Sequence, residues 1–85
     1  MKHNIRIYGI ANIATELAHS LCEMAGVPSI ELTLGEDFKE ETAIAICDAN
    51  YHTTGYPIVF NGSDYLGGVD ELRKMLHQIV ASRIK

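Results

Sequence analysis

Apolar residues recur along this chain at two different spacings, and each switch between them marks an element boundary. Asn4-Ile5-Arg6-Ile7-Tyr8 alternates, with Ile5 and Ile7 on one face and Arg6 and Tyr8 on the other, and predicts a short strand that Gly9 ends. From Asn12 the spacing is helical: Ala14, Leu17, Ala18, Leu21 and Ala25 make one stripe, and Glu16, His19, Ser20 and Glu23 fill the opposite face. Asn12 suits an N-cap whose side-chain oxygen accepts a backbone N–H near Ala14 or Thr15. Gly26 stands where a C-cap belongs, and Pro28 prevents the helix from resuming. Ser29 to Leu34 alternates again and reads as a strand lying beside the first. A second helix is predicted from Asp37 to Ala49, with Phe38, Thr42, Ala45, Ile46 and Ala49 as its inner stripe. Glu36, Asp37, Glu40 and Glu41 suit its N-terminal dipole.

The remainder reads as a hairpin and a closing helix. Ile58-Val59-Phe60 is a compact apolar strand, Asn61-Gly62 is a strong hairpin signal, and Tyr65-Leu66 returns. Val69, Leu72, Leu76, Ile79 and Val80 then form the stripe of a helix to about Arg83. The order is βαβαββα. A strand-helix-strand start implies a right-handed parallel crossover, and the Asn-Gly turn implies an antiparallel pair, so the pattern alone predicts a small α/β sandwich. No linker, repeat or low-complexity segment divides residues 1–85, which read as one domain.

At 85 residues the chain has room for one modest core. A formal charge of −4 argues against nucleic acid as a partner, since that role needs Lys and Arg to displace phosphate counterions. No apolar run approaches the roughly 20 residues that span a bilayer, and Met1-Lys2-His3 leads into a strand rather than a signal peptide. A cytoplasmic protein without a membrane partner is the expectation. Cys22 and Cys47 fall inside helical patterns, which fits reduced thiols better than a disulfide framework.

The stretch Gly55-Tyr56-Pro57-Ile58-Val59-Phe60, followed by Tyr65-Leu66-Gly67-Gly68-Val69-Asp70-Glu71-Leu72, resembles the glutaredoxin family. There a proline peptide opens a strand and a Gly-Gly-x-Asp turn opens the last helix. The resemblance is ungapped from Pro57 to Leu72 and is one of pattern only toward the N-terminus. It implies a thioredoxin fold, a four-stranded mixed sheet with helices on both faces. It also implies a cis Tyr56-Pro57 bond that turns the backbone of Tyr56 outward at the sheet edge. The family's redox Cys-x-x-Cys has no counterpart. Anchored on the helix, its cysteine positions match Asn12 and Thr15; anchored on Tyr8, they match Ala11 and Ala14.

Neither pair exchanges disulfides, because that chemistry needs a thiolate, which a helix N-terminus stabilises. The missing thiol is also the ligand with which some glutaredoxins hold an iron-sulfur cluster, so no cofactor of that kind is expected. What the resemblance carries over is a ligand groove. Tyr56, before Pro57, matches the residue whose backbone meets the cysteinyl part of glutathione, and Gly68, Val69 and Asp70 match the turn that receives its γ-glutamyl end. Ile10 replaces the family's basic residue near the glycyl carboxylate, which weakens glutathione as a ligand.

Other chemistry is sparse. His19 and Cys22 lack a second pair to complete a metal site, so no metal is expected. His52, just upstream of the proline turn, reads first as a solvated loop histidine and second as a residue that reaches the groove. The function expected is that of a glutaredoxin-like protein without thiol-disulfide oxidoreductase activity, keeping a groove for a peptide, a protein partner or weakly bound glutathione. The alternative is a genuine glutathione-dependent disulfide oxidoreductase, serving electron transfer and redox homeostasis, whose loop cysteines have been substituted in this sequence or which uses another thiol. Cys22, well inside the helix, suits that last role poorly. A third reading is a small subunit whose groove or sheet edge is covered in an assembly.

Overall fold

The structure, a computed structural model, describes residues 3–84; the Met1-Lys2 lead into the first strand lies outside them. The elements run β1 (Ile5–Gly9), α1 (Ile13–Ala25), β2 (Ser29–Thr33), α2 (Glu40–Asn50), β3 (Ile58–Asn61), β4 (Asp64–Gly67) and α3 (Val69–Ile84). The strands form one sheet in the order β2-β1-β3-β4. β1 pairs parallel with β2 and antiparallel with β3, and β3 pairs antiparallel with β4. The hairpin turn is Gly62-Ser63, one residue later than the Asn-Gly signal, because Asn61 pairs with Asp64 as the last rung of the ladder.

Side-chain alternation along the strands separates two cores. Ile5, Ile7 and Val59 point to one face, where they pack with Ala18, Cys22, Leu72 and Leu76 from α1 and α3. Tyr8, Ile58 and Phe60 point to the other, where they meet Phe38, Ala43 and Ile46. Helices therefore cover both faces. Cys22 belongs to the first core and half-buried Cys47 to the second, so the sheet stands between the two free thiols. Among the described residues no helix is long and apolar enough to cross a membrane.

The first helix begins as its sequence predicts. Asn12 has extended backbone and its Oδ1 accepts the Thr15 N–H at 2.8 Å, which satisfies a donor that has no intrahelical acceptor. Gly26 ends the helix with a φ of 68°, a left-handed conformation that costs glycine least. Leu17, expected on the inner stripe, is exposed at the margin, and Thr15 and Cys22 take inner positions beside Ala18.

The second helix departs further. It starts at Glu40, not Asp37, because the Asp37 carboxylate accepts the Thr33 N–H at 2.8 Å and the Glu36 and Asp37 amides return to the Thr33 carbonyl. A tight loop replaces the expected first turn. Its buried stripe is Ala43 with half-buried Ile46 and Cys47, and Phe38 packs from the preceding loop. Thr42, Ala45 and Ala49 are exposed. The face that packs on the sheet is therefore the one through Ala43, Ile46 and Cys47, and the expected stripe lies off it.

Candidate functional site

Two segments that flank the β3-β4 hairpin converge beside the start of α1. The Tyr56-Pro57 peptide is cis, and it enters β3 next to the turn between β4 and α3. Together they enclose a groove of about 210 Å³ lined by Ala14, Thr54, Tyr56, Pro57, Gly68, Val69, Asp70 and Glu71. All five candidate ligand residues, Tyr56, Pro57, Gly68, Val69 and Asp70, thus line one concavity. Of the four positions matched to the family's cysteines, Ala14 alone lines it.

The turn into α3 is built around an acidic side chain. Glu71 Oε1 accepts the Gly68 N–H at 2.8 Å, the return bond of a capping box. Gly67 has a φ of 132°, and a Cβ there would come within 2.6 Å of Glu71 Oε1, so both backbone conformation and space require glycine. The amides of Val69 and Asp70 open the helix and have no intrahelical acceptors, which leaves donors at the groove. The Asp70 carboxylate lies 3.8 Å from Arg73, an exposed pair one turn apart on α3.

Beneath the groove runs a circuit of rings. Tyr56 leans on Phe38 with centroids 6.2 Å apart, Phe38 meets Tyr8 at 5.2 Å, and Tyr8 meets Phe60 at 5.8 Å. Phe60 then meets Tyr65 at 5.7 Å, and Tyr65 meets His52 at 5.7 Å. His52 closes the circuit. Its Nε2 donates to the Gly55 carbonyl at 2.6 Å, and its Nδ1 is hydrogen-bonded with the Tyr65 hydroxyl. The solvated loop histidine expected from the sequence is in fact 8% exposed. Two well-aimed partners offset the cost of burying its nitrogens.

Burial pushes the Tyr56 and Tyr65 phenols above their usual 10.0. Nearby Cys47 and Glu40 add to the effect at Tyr56, and Glu71 and Cys47 at Tyr65. Both therefore act near neutral pH as hydroxyl donors and acceptors, not as phenolates.

At the α1 start Asn12 caps the helix and Thr15 is buried over Gly9. A Cβ on Gly9 would lie 2.4 Å from Thr15 Cγ2 and 2.6 Å from its Oγ1. Ala11 and Thr15 line a separate cleft toward β2. Glu71 and Phe38 are neighbours of the groove that sequence reasoning missed. The Gly-x-x-Glu spacing of Gly68 and Glu71, that of a capping box, is the available signal for one of them.

Compared with protein families and with curated proteins, the sequence matches none. Among solved structures, glutaredoxin 1 from Francisella tularensis, in complex with cacodylate, superposes with a TM-score of 0.69 at 15% identity. The match covers 93% of this chain and 98% of that one. The likeness is one of fold. The chain has a thioredoxin-like fold, α/β with a four-stranded mixed sheet and helices on both faces.

Proposed function

We propose that this is a divergent glutaredoxin-like binding module that has lost dithiol exchange and holds an extended segment of a protein partner in the groove at Tyr56-Pro57. Glutathione is a weak occupant of the same groove. The observation that carries the reading is a groove whose peptide-edge and helix-start residues come together while the adjoining α1 start offers asparagine, threonine and alanine in place of thiols.

The chemistry follows from the residues. An extended ligand adds to the Tyr56 backbone as one more rung of strand, and a carboxylate or carbonyl on it accepts from the first amides of α3. The proline ring, Val69 and Ala14 supply the apolar walls. Neither thiol lines the groove: half-buried Cys47 packs in the core behind Tyr56, and Cys22 is fully buried inside α1, where burial raises its thiol above the usual 9.0, against a hydrogen bond from Ser29 that lowers it. A neutral buried thiol is a poor nucleophile.

An activity assay paired with a titration tests the reading. Reduction of a mixed glutathione disulfide is expected to stay at background. Glutathione at millimolar concentration is expected to shift the amides of Tyr56, Gly68, Val69 and Asp70 with low affinity, Ile10 leaving its glycyl carboxylate without a cation. Turnover well above background overturns the inactive reading, and shifts away from those residues overturn the groove.

A further inference from the structure

The outward face of the helix pair α1 and α3 carries an exposed apolar row. We propose that this face pairs with the same face of a second copy of the chain, about a two-fold axis that runs along the helices.

Ile13, Leu17, Leu21 and Met24 recur at helical spacing along α1, and Ile13 and Met24 are 84% and 83% exposed. Val80 of α3 lies beside them. A groove of about 280 Å³ between the helices is lined by Leu21, Met24, Leu76 and Val80, with Arg73 and His77 on its α3 wall. Ile84, one turn beyond Val80, is exposed and extends the row. A single exposed apolar residue is ordinary, whereas a contiguous row across two helices marks a surface that meets a partner.

The charges at the margins of the row identify that partner. Exposed Glu16 and Glu23 stand on the side of α1 away from α3: Glu16 lines the cleft toward β2, and Glu23 pairs with His19, which lines the same cleft. Exposed Arg73, Lys74 and His77 border the row on α3. Asp70 is turned to Arg73 at 3.8 Å, while Lys74 and Glu16 have no ion-pair partner among the described residues. In cross-section the face therefore reads acid, apolar, base.

The heights of these charges match as well. The two helices run parallel, since Ala14 and Val69 share the groove at their N-terminal ends and Arg83 donates to the Ala25 carbonyl at their C-terminal ends. With a rise of about 1.5 Å per residue, Glu16 stands within about one turn of the height of Lys74, and Glu23 of that of His77. A two-fold axis along the helices preserves height and exchanges the margins. It sets α1 of each copy on α3 of the other with acid opposite base, whereas a two-fold across the helices sets acid on acid. The face is its own complement, as an isologous interface requires. Each copy carries a formal charge of −4, so general attraction does not drive the pairing. The apolar row supplies the affinity, and the margins fix the register. A lipid surface is a poorer match, because helix faces that lie on membranes are rich in Lys and Arg and one margin here is acidic.

Sedimentation equilibrium of the full chain tests the pairing. A concentration-dependent rise toward twice the monomer mass is expected, with a dissociation constant of about 50–500 μM. Met24→Glu, at an exposed position outside the core, is expected to weaken association by about tenfold or more, while Ile44→Glu on α2 leaves it unchanged. Glu16→Lys and Lys74→Glu are each expected to weaken it by about threefold, and the two together to restore it to within about twofold. A chain that stays monomeric at millimolar concentration overturns the proposal. So does a dimer that Met24→Glu leaves intact, which places the contact on another face such as the β2 edge. A double swap no tighter than either single one overturns the two-fold along the helices.

Discussion

The two regions that meet at the groove are built differently. The segment from His52 to Leu72 keeps a built surface: a cis peptide edge, a capped helix start, and a histidine holding the loop between them. The segment from Gly9 to Ala18 keeps a capped helix start at the same rim but carries no group that attacks a sulfur atom. Shape and chemistry are thus separable in this fold. In the proposed reading, recognition falls to backbone groups and turn residues on one side, and reactivity would need one or two side chains on the other.

The largest expected effect comes from putting the chemistry back. Asn12→Cys combined with Thr15→Cys places a thiol at the α1 N-terminus, where the helix stabilises a thiolate. Disulfide reduction is expected to rise from background by at least about tenfold, an amount that requires only a modest thiolate fraction. The matching Ala11→Cys with Ala14→Cys pair is expected to remain at background. The same assay with both variants separates the two anchorings, and equal activity would show that the α1 cap does not define the thiol position.

Next in size is the loop on the other side. His52→Ala removes two buried hydrogen bonds and is expected to cost about 2 kcal/mol by denaturant unfolding. The amides of Thr54 to Tyr56 are expected to move while those of Gly9 to Thr15 stay. If both sets move together, the two regions are not independent bodies. Glu71→Ala releases the Gly68 N–H and is expected to cost about 1 kcal/mol, a typical cap, whereas Asp70→Ala changes stability by less than about 0.5 kcal/mol. Equal effects would mean that exposed Asp70 also caps.

The smallest effect is alkaline. Burial, with Glu71 and Cys47 nearby, holds the Tyr65 phenol above its usual 10.0, so the folded state favours the neutral form. Its contribution is fully present below the unfolded phenol's value and is lost as pH rises through the folded one, because the unfolded chain gives up its proton first. Stability is expected to decline above pH 10.0, and Tyr65→Phe to flatten that decline. An unchanged slope would assign it to Tyr56, or to the Cys22 thiol, which burial also raises.

How far the residues themselves disclosed this arrangement depends on where each element's partners lie. α1 announced both ends because its signals are local, Asn12 to Thr15 and Gly26 to the last turn. The Pro57 and Gly67-Gly68 landmarks were legible for the same reason. α2 was not, since Asp37 serves equally well as a first-turn acid and as the acceptor for Thr33, and only the strand's position decides. Its apolar residues fall on both sides, with Ile44 55% exposed and Ile46 half-buried, so no single face stands out. The burial of His52 depends on Tyr65, on a strand thirteen residues later, and no local pattern encodes that.

Gly9 and Thr15 impose an order on sequence change. Because any β-carbon on Gly9 meets both γ atoms of Thr15, the glycine is free to change only after the threonine has lost its branch. Thr15→Ser removes one of the two obstructing atoms and Thr15→Ala removes both, leaving Cβ 3.1 Å from the new carbon. Of the two paths that lead to a Gly9→Ala, Thr15→Ala double variant, the one through Gly9→Ala first passes through a clash, and the one through Thr15→Ala first meets only a tight contact that a small shift relieves. A library scanned one position at a time would record Gly9 as immutable, whereas a paired library would find it conditionally free.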